Sequence, residues 1–535
     1  MSGKEKHESR SWLNVLIVIF VTLGSFSYGY SASIIASTLG QPRFLEYFGL
    51  VVSKNPNANA LLGATNGLFQ TGGVFGALLV GPLADRFSRR GAIVIASSIL
   101  CIGGALQAAS QNISMFLVVR TFTGIGVGLI VGAAPLYQSE VSPPGSRGLL
   151  VGLHGVLIGT GYAIAGWVGY ACYPLEGDIQ WRLPLALQVV SPGILVLGTY
   201  FMPESPRWLL QKARGQEALA VLRQIHHDAK DPEGHFAERE YHVMREQFQL
   251  EHNTDTSAFW ELLSKRHNLK KVALGFLVMF GAQSTGTLVI NNYGVTLYSN
   301  IGYTGRTAIA LTAGWVTVSI AGNAFTSLFV DKIGRVRLLI IGFTGIVCVL
   351  IGEMICLALL ETRQSFGLSV AAIFFLFGHI VFFSSCIDAT TYIYASEIFP
   401  THLRASGLSL SLTGLFLASL TFTQAATSAL AAIHWKYYIV FTVLSALMVG
   451  IFYFYFPETK GLALEEVSKL FGDPVAVEIS NMTEEEGHAI EKLVRSLSGS
   501  QAAGGTGRDV IAAAVENRDE PAEKHNVVSS HKETV

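Results

Sequence analysis

Charge is what this sequence has least of. Asp, Glu, Lys and Arg make up 14% of its 535 residues, against about 25% in an ordinary soluble protein. That shortage excludes a chain built to hold a charged surface in water. Cysteine is scarce as well. Cys101, Cys172, Cys348, Cys356 and Cys386 each lie in or beside an apolar run, without the spacing of a metal site or a disulfide framework, so buried free thiols are expected. No nucleophile–base set, metal-ligand cluster or phosphate-cradling loop stands out, which argues against an enzyme and against a bound cofactor. The formal net charge of −1 identifies no partner, and a nucleic-acid partner is not expected.

What is present is apolar: 50% of the residues are hydrophobic. A helix needs about 20 such residues to cross a bilayer. Runs of that kind fall at 13–35, 61–82, 92–111, 115–136, 149–171, 183–202, 270–294, 308–330, 338–360, 369–395, 406–431 and 437–456. The pattern predicts an all-α polytopic membrane protein of twelve spans. The first run is long enough to cross and is expected to stay as a signal anchor. Lys4, Lys6 and Arg10 precede span one; Arg86, Arg89 and Arg90 follow span two; Arg147 follows span four; Lys332, Arg335 and Arg337 follow span eight. The loops on the other side carry few: Arg43 and Lys54 in 36–60, none in 172–181, Arg306 and Arg363 later. Basic loops stay inside, so both termini are predicted to be cytoplasmic.

The expected organisation is a cytoplasmic N-terminus (1–12), a six-span half (13–202), a charged helical linker (203–269), a second half (270–456) and a cytoplasmic tail (457–535). The tail turns hydrophilic from about 470, with a Gly/Ser patch and almost no aromatics, which predicts disorder. The two halves repeat each other. "GPLADRFSRRG" after span two returns as "SLFVDKIGRVR" after span eight; "PLYQSEVSPPGSRG" after span four as "YASEIFPTHLRASG" after span ten; "PESPRWL" after span six as "PETKGL" after span twelve. A duplicated bundle places its site between the halves near mid-membrane.

These motifs resemble the sugar porter family of the major facilitator superfamily, and the resemblance runs over nearly all of 10–465. The most specific stretch is "FTGIGVGLIVGAAPLYQSEVSPPGSR", Phe122 to Arg147. Ser88 departs from the pattern where Gly is usual, at some conformational cost, and Val336 departs where a second basic residue is usual. The resemblance implies the major facilitator fold, twelve helices in two six-helix halves. It also implies a secondary transporter of a small carbohydrate, facilitative or proton-coupled. A plasma-membrane protein working as a monomer is expected.

Acids and bases alternate in both sets of repeated loops. Asp85, Arg89, Glu140, Arg147 and Glu204 form one set, and Asp331, Arg335, Glu397, Arg404 and Glu458 the other. Surface pairs contribute roughly 0–1 kcal/mol each, so several together suit a gate that opens as readily as it closes. Topology anchoring by positive charge is the alternative. "GIGVG" lacks the spacing of a nucleotide loop and reads as close helix packing.

"GAQSTGTLVINNYG" in span seven puts hydrogen-bonding groups where lipid would leave them unpaired. Gln283, Thr285, Asn291, Asn292 and Tyr293 are therefore expected to face the bundle interior. Amides offer a sugar both donors and an acceptor. The resemblance implies Gln-Gln-x-[Ser/Thr]-Gly in this helix; here Ala282 replaces the first Gln and Leu288 stands where an Asn is usual. It also implies a Gln at Gly155, next to His154, and a Trp at Tyr392. Ser319 and Asn323 lie one turn apart on span eight and are expected to face the same cavity. Interhelical hydrogen bonding alone is the competing reading for Gln283 and Asn291. A pocket so altered weakens the case for glucose itself.

Asp388, in "FFSSCIDATTYIY", is an acid at membrane depth. Burying it costs roughly 2.5–3.5 kcal/mol on insertion scales, a cost an acid can avoid by carrying a proton. It is the candidate proton carrier, with a structural hydrogen bond as the alternative and Glu353 a weaker copy. Ser31, after Gly29 and Tyr30, stands where proton-driven relatives often carry an acid, so uniport and symport both remain open. A second functional reading is a transporter of a polyol, a quinate-like acid or a specialised metabolite, export included. A third, a non-transporting sugar sensor, would need a longer signalling tail.

Overall fold

The computed structural model describes residues 12–471, apart from 52–54, 143–146, 227–236, 239, 242–243, 246–257, 364, 401–402, 461–466 and 468–469. The N-terminal stretch and most of the expected disordered tail lie outside the described residues.

Among the described residues, ten helical segments are long and apolar enough to cross a membrane. Two of them, Ala58–Ala108 and Arg404–Tyr455, run to 51 and 52 residues. At 1.5 Å per residue each would extend roughly 77 Å, more than twice a bilayer's hydrocarbon core. Both are broken near the middle by a left-handed residue, Ser88 (φ 77°) and His434 (φ 49°). Each therefore folds back as two passes, and the arithmetic agrees with twelve spans.

The Ser88 break repeats at Gly334 (φ 109°), which separates Arg306–Ile333 from Arg335–Thr362 in the second half. Serine bears strain there that glycine avoids. Its Oγ offsets part of it by accepting the Gly91 N–H at 3.1 Å, at the start of span three.

Three spans expected to be continuous are not. Span six comprises Ile179–Leu187 and Val190–Thr199; Pro192, which has no N–H, sits in the first turn of the second piece. Span seven comprises Arg266–Gln283 and Thr287–Asn300, divided at Gly286 (φ 81°), where a Cβ would lie 2.8 Å from the Phe441 ring. The break exposes carbonyls, and the His379 Nε2–H of span ten donates to that of Thr285 at 3.0 Å. Span ten runs Phe366–Phe382, widens into a π turn at Phe383–Asp388, and continues as Ala389–Glu397. Thr326 Oγ1 of span eight donates to the Ser385 carbonyl (2.7 Å) and the Ser384 carbonyl (3.1 Å) of that turn.

The halves meet along two seams, span two with span eleven and span five with span eight. Small residues let the backbones close up. A Cβ at Gly152, Gly159 or Gly166 of span five would lie 2.6 Å from Ser327 Oγ, 2.8 Å from Ser319 Oγ or 3.1 Å from Ala313. On the other seam Ser409 Oγ donates to the Ala77 carbonyl at 2.6 Å. Broad aromatics are exposed at the ends of spans six and twelve, at Tyr200 and Phe201 and at Tyr453, Phe454 and Tyr455, the residue types that settle at a membrane–water boundary. In the linker, Pro206–Gln211 and Gly215–Ile225 pack through Leu209, Leu210, Ala218 and Leu222, as its amphipathic spacing predicts.

Candidate functional site: a chamber between the halves and two charge clusters

A small closed chamber lies where spans one, five, seven, eight and ten converge. Its volume is about 20 Å³ counted as space for the centre of a water molecule, on the scale of one or two waters. Of the residues singled out in the sequence, Gln283, Asn291, Ser319, Asp388 and Tyr392 lie on its wall. Asn323 stands directly behind it, and its Nδ2 donates to Asp388 Oδ2 at 2.9 Å. The structural hydrogen bond weighed for Asp388, to Thr390, Thr391 or a neighbouring helix, thus exists and comes from the neighbouring span eight; Thr391 Oγ1 bonds only the Asp388 backbone carbonyl, at 2.8 Å.

Other expected residues sit elsewhere. Thr285 commits its hydroxyl to the Ala282 carbonyl (2.7 Å) and to Thr287 Oγ1 (2.8 Å), holding the break in span seven. Tyr293 closes one end of the interface: its hydroxyl accepts from Asn66 Nδ2 and donates to the Thr423 carbonyl, both at 3.0 Å. Asn292 is buried away from the wall. Asn291 Oδ1 accepts from Ser33 Oγ at 3.2 Å, which joins span seven to span one.

Several wall residues carried no mark in the sequence reading. Tyr28 of span one and Tyr162 of span five pair across the wall, rings 6.3 Å apart. Trp315 and Phe383 complete the aromatic lining. The available signal was the one used for Tyr293, a phenol at membrane depth. His154 backs this layer, its ring edge-on to Tyr392 at 5.1 Å and its Nδ1 2.6 Å from Ser25 Oγ. Gly155 explains the lost Gln: a Cβ there would lie 3.0 Å from Asn323 Oδ1 and 3.1 Å from Ala389 Cβ. Asn323 occupies the space that a longer residue on span five would claim. Gln283 Oε1, Asn291 Nδ2 and Asn323 Oδ1 are buried with no protein hydrogen-bond partner, an arrangement that a polar ligand would satisfy.

The charge clusters repeat. In the first half Arg89 bonds Glu140 through Nε at 3.1 Å and Asp85 through Nη1 at 2.9 Å, while Ser205 Oγ donates to Glu140. In the second, Arg335 bonds Glu397 through Nη2 at 2.7 Å and Asp331 at 2.8 Å, while Thr459 Oγ1 donates to Glu397 at 2.8 Å. Tyr137 and Tyr394 each donate to the carbonyl of the Pro before the motif Glu, Pro203 at 2.7 Å and Pro457 at 3.2 Å. Glu204 and Glu458 play a different part from the ion pairing expected of them. They accept backbone N–H groups at the starts of spans three and nine: Arg90 N at 3.5 Å, and Arg335 N and Val336 N at 2.8 and 3.2 Å. Negative charge at a helix N-terminus is favourable there. Both ion-pair sets lie within one half. Arg404 is buried at the start of span eleven, and the Arg147 side chain lies outside the described residues.

Residues 17–471 match the sugar (and other) transporter family. The chain is 32% identical to the MFS-type transporter criB of Aspergillus cristatus, over 88% of this chain and 95% of that one. It is 29% identical to a high-affinity glucose transporter of Kluyveromyces lactis, over 86% of each. It is 28% identical to a quinate permease of Neurospora africana, over 86% and 89%. Among solved structures, the proton:xylose symporter XylE bound to 6-bromo-6-deoxy-D-glucose superposes with a TM-score of 0.74 at 22% identity, over 86% of this chain and 99% of that one; that likeness establishes the fold. With two six-helix halves around one chamber and this match along nearly the whole bundle, the chain is a membrane transporter, not an enzyme, and belongs to the sugar (and other) transporter family, the sugar porters of the major facilitator superfamily.

Proposed function

We propose that this protein moves a sugar or a related polyhydroxy compound across the membrane by alternating access of its two halves. The observation that carries this reading is the chamber itself, lined from both halves and holding buried amide atoms of Gln283 and Asn291 without protein partners. A polyhydroxylated ring supplies hydroxyls to those amides and an apolar face to Trp315, Tyr28 and Tyr392. Asp388 is the proton carrier, and its placement beside Tyr392 on the wall lets substrate and proton influence each other. The two charge clusters hold each half rigid at one end while the seams between halves rock. The protein works as a monomer in the plasma membrane with both termini cytoplasmic. A second reading, another small metabolite on the same scaffold, is favoured by the altered pocket at Gly155, Leu288 and Tyr392.

The test is uptake of labelled glucose and xylose by transporter-null yeast cells expressing the protein, competed with hexoses, polyols and quinate. Saturable uptake that neutral sugars or polyols inhibit is the expected result. Normal surface expression with no sugar uptake or inhibition would defeat the carbohydrate reading.

A further inference from the structure

Among the described residues, the chamber wall carries no basic side chain. Its polar uncharged members are Gln283, Thr287, Asn291 and Ser319, its single carboxylate is Asp388, and the remainder are phenols, other aromatics and aliphatics. Buried basic side chains of the surrounding bundle are occupied elsewhere: His379 of span ten, stacked on Trp315 with rings 6.3 Å apart, donates through Nε2 to the Thr285 carbonyl at 3.0 Å. Arg120 lies 4.1 Å over the Phe69 ring and donates to the Thr65 and Ser31 carbonyls at 3.3 and 3.4 Å. Lys271 sits beside Phe471, 5.6 Å from its ring. His154 is behind Tyr392, tied to Ser25.

A carboxylate entering this space would meet no counter-charge and one acid. Desolvated charge without a partner is strongly disfavoured, and a like charge a few ångströms away adds repulsion. The indole N–H of Trp315 is spent on the Leu376 carbonyl at 2.7 Å, so Trp315 offers only its apolar face. The unpartnered amide atoms, Gln283 Oε1 and Asn291 Nδ2, can accept and donate up to two hydrogen bonds each, which suits hydroxyls or a carbonyl.

We infer that the chamber selects uncharged ring compounds and rejects carboxylates, with Asp388 and the absence of any wall base as the discriminating features. The inference rests on the assignment of the chamber as the transport site. It separates this protein from a carrier of quinate-type acids built on the same scaffold.

The test uses matched pairs differing in one carboxylate: glucose and glucuronate, phenyl glucoside and phenyl glucuronide, methyl quinate and quinate. Binding to the purified full chain in nanodiscs is read at pH 7.5 by tryptophan quenching and thermal shift. In every pair whose neutral member binds, that member should bind tenfold or more tightly than its acid. Asp388→Asn should narrow that ratio several-fold without inverting it, because the wall still lacks a base. A carboxylate that binds as well as its neutral partner, or pairs whose members never differ, would overturn the inference. Failure of the sugar reading looks different: glucose and phenyl glucoside would not bind, while methyl quinate would still exceed quinate.

Discussion

The charge clusters and the chamber diverge in how they treat the internal duplication. At the clusters the halves agree residue by residue: Asp85 with Asp331, Arg89 with Arg335, Glu140 with Glu397, Tyr137 with Tyr394, and Ser205 with Thr459. On the wall they do not. The first half contributes Tyr28, Ile158 and Tyr162, while the amides and the acid all come from the second. A part that does the same job in each half keeps the same chemistry. A ligand without two-fold symmetry has no use for a symmetric wall, so there the copies are free to differ.

The largest effect should come from the asymmetric region. Asp388→Asn keeps an acceptor for Asn323 Nδ2 but cannot release a proton. It should abolish accumulation driven by a pH gradient while leaving equilibrative exchange of labelled substrate intact. Wild-type accumulation that persists in the variant, measured in energised vesicles, would remove Asp388 from the coupling role.

Next in size is a comparison of the two arginines. Arg89 and Glu140 side chains are 8% and 7% exposed, whereas Arg335 and Glu397 are 8% and 21% exposed. Removing one member of a buried pair costs about 3–5 kcal/mol, and a carboxylate nearer solvent recovers some of that through hydration. Arg89→Ala should therefore lower the melting temperature of the solubilised protein by more than Arg335→Ala does. Equal losses would mean that the repeat is energetically as well as geometrically symmetric.

A smaller effect is expected at the wall. Gln283→Ala removes hydrogen bonds contributing roughly 0.5–1.5 kcal/mol each, which raises KM about twofold to twelvefold with expression unchanged. An unaltered KM in initial-rate uptake would take Gln283 off the substrate path.

The smallest, and the sharpest probe of the repeat, is a pair of exchanges at the matched left-handed positions. Gly334→Ser should destabilise, because its new Cβ would sit 2.7 Å from Glu458 Oε2 at φ 109°. Ser88→Gly relieves strain but gives up the bond to the Gly91 N–H. The two terms are each about 1 kcal/mol or less, so its melting temperature should hardly move. A marked fall for Ser88→Gly would show that the cap outweighs the strain.

Much of this architecture was legible in the chain. Apolar runs gave the spans, and the doubled loop motifs gave the halves, because both depend on local composition. Gln283, Asn291 and Asp388 could be read as interior residues because lipid would leave them unpaired. Period alone could not separate a wall residue from its neighbour one step round the helix. Thr285 and Tyr293 satisfy the same rule by bonding carbonyls at a helix break and across a seam. Tyr28 and Tyr162 escaped notice because a phenol counts as apolar in a composition. The break at Gly286 and the π turn were invisible for another reason: both have partners on distant spans, the Phe441 ring packed against one and Thr326 Oγ1 bonded to the other.

The π turn at Phe383–Asp388 has a consequence in the language of heredity. One extra residue is wound into a helix that would otherwise keep its phase, and each residue is worth about 100° of rotation. If the segment rewound as regular α-helix with that residue still present, everything beyond would swing by that angle, carrying Tyr392 off the wall and Glu397 away from Arg335 together. Loss of a single codon within 383–388 would instead take out the bulge and leave both in phase. The chamber and the second charge cluster are thus indexed by the same turn. A lineage can shed the extra residue there and keep both, or lose both by keeping the residue and losing the bulge.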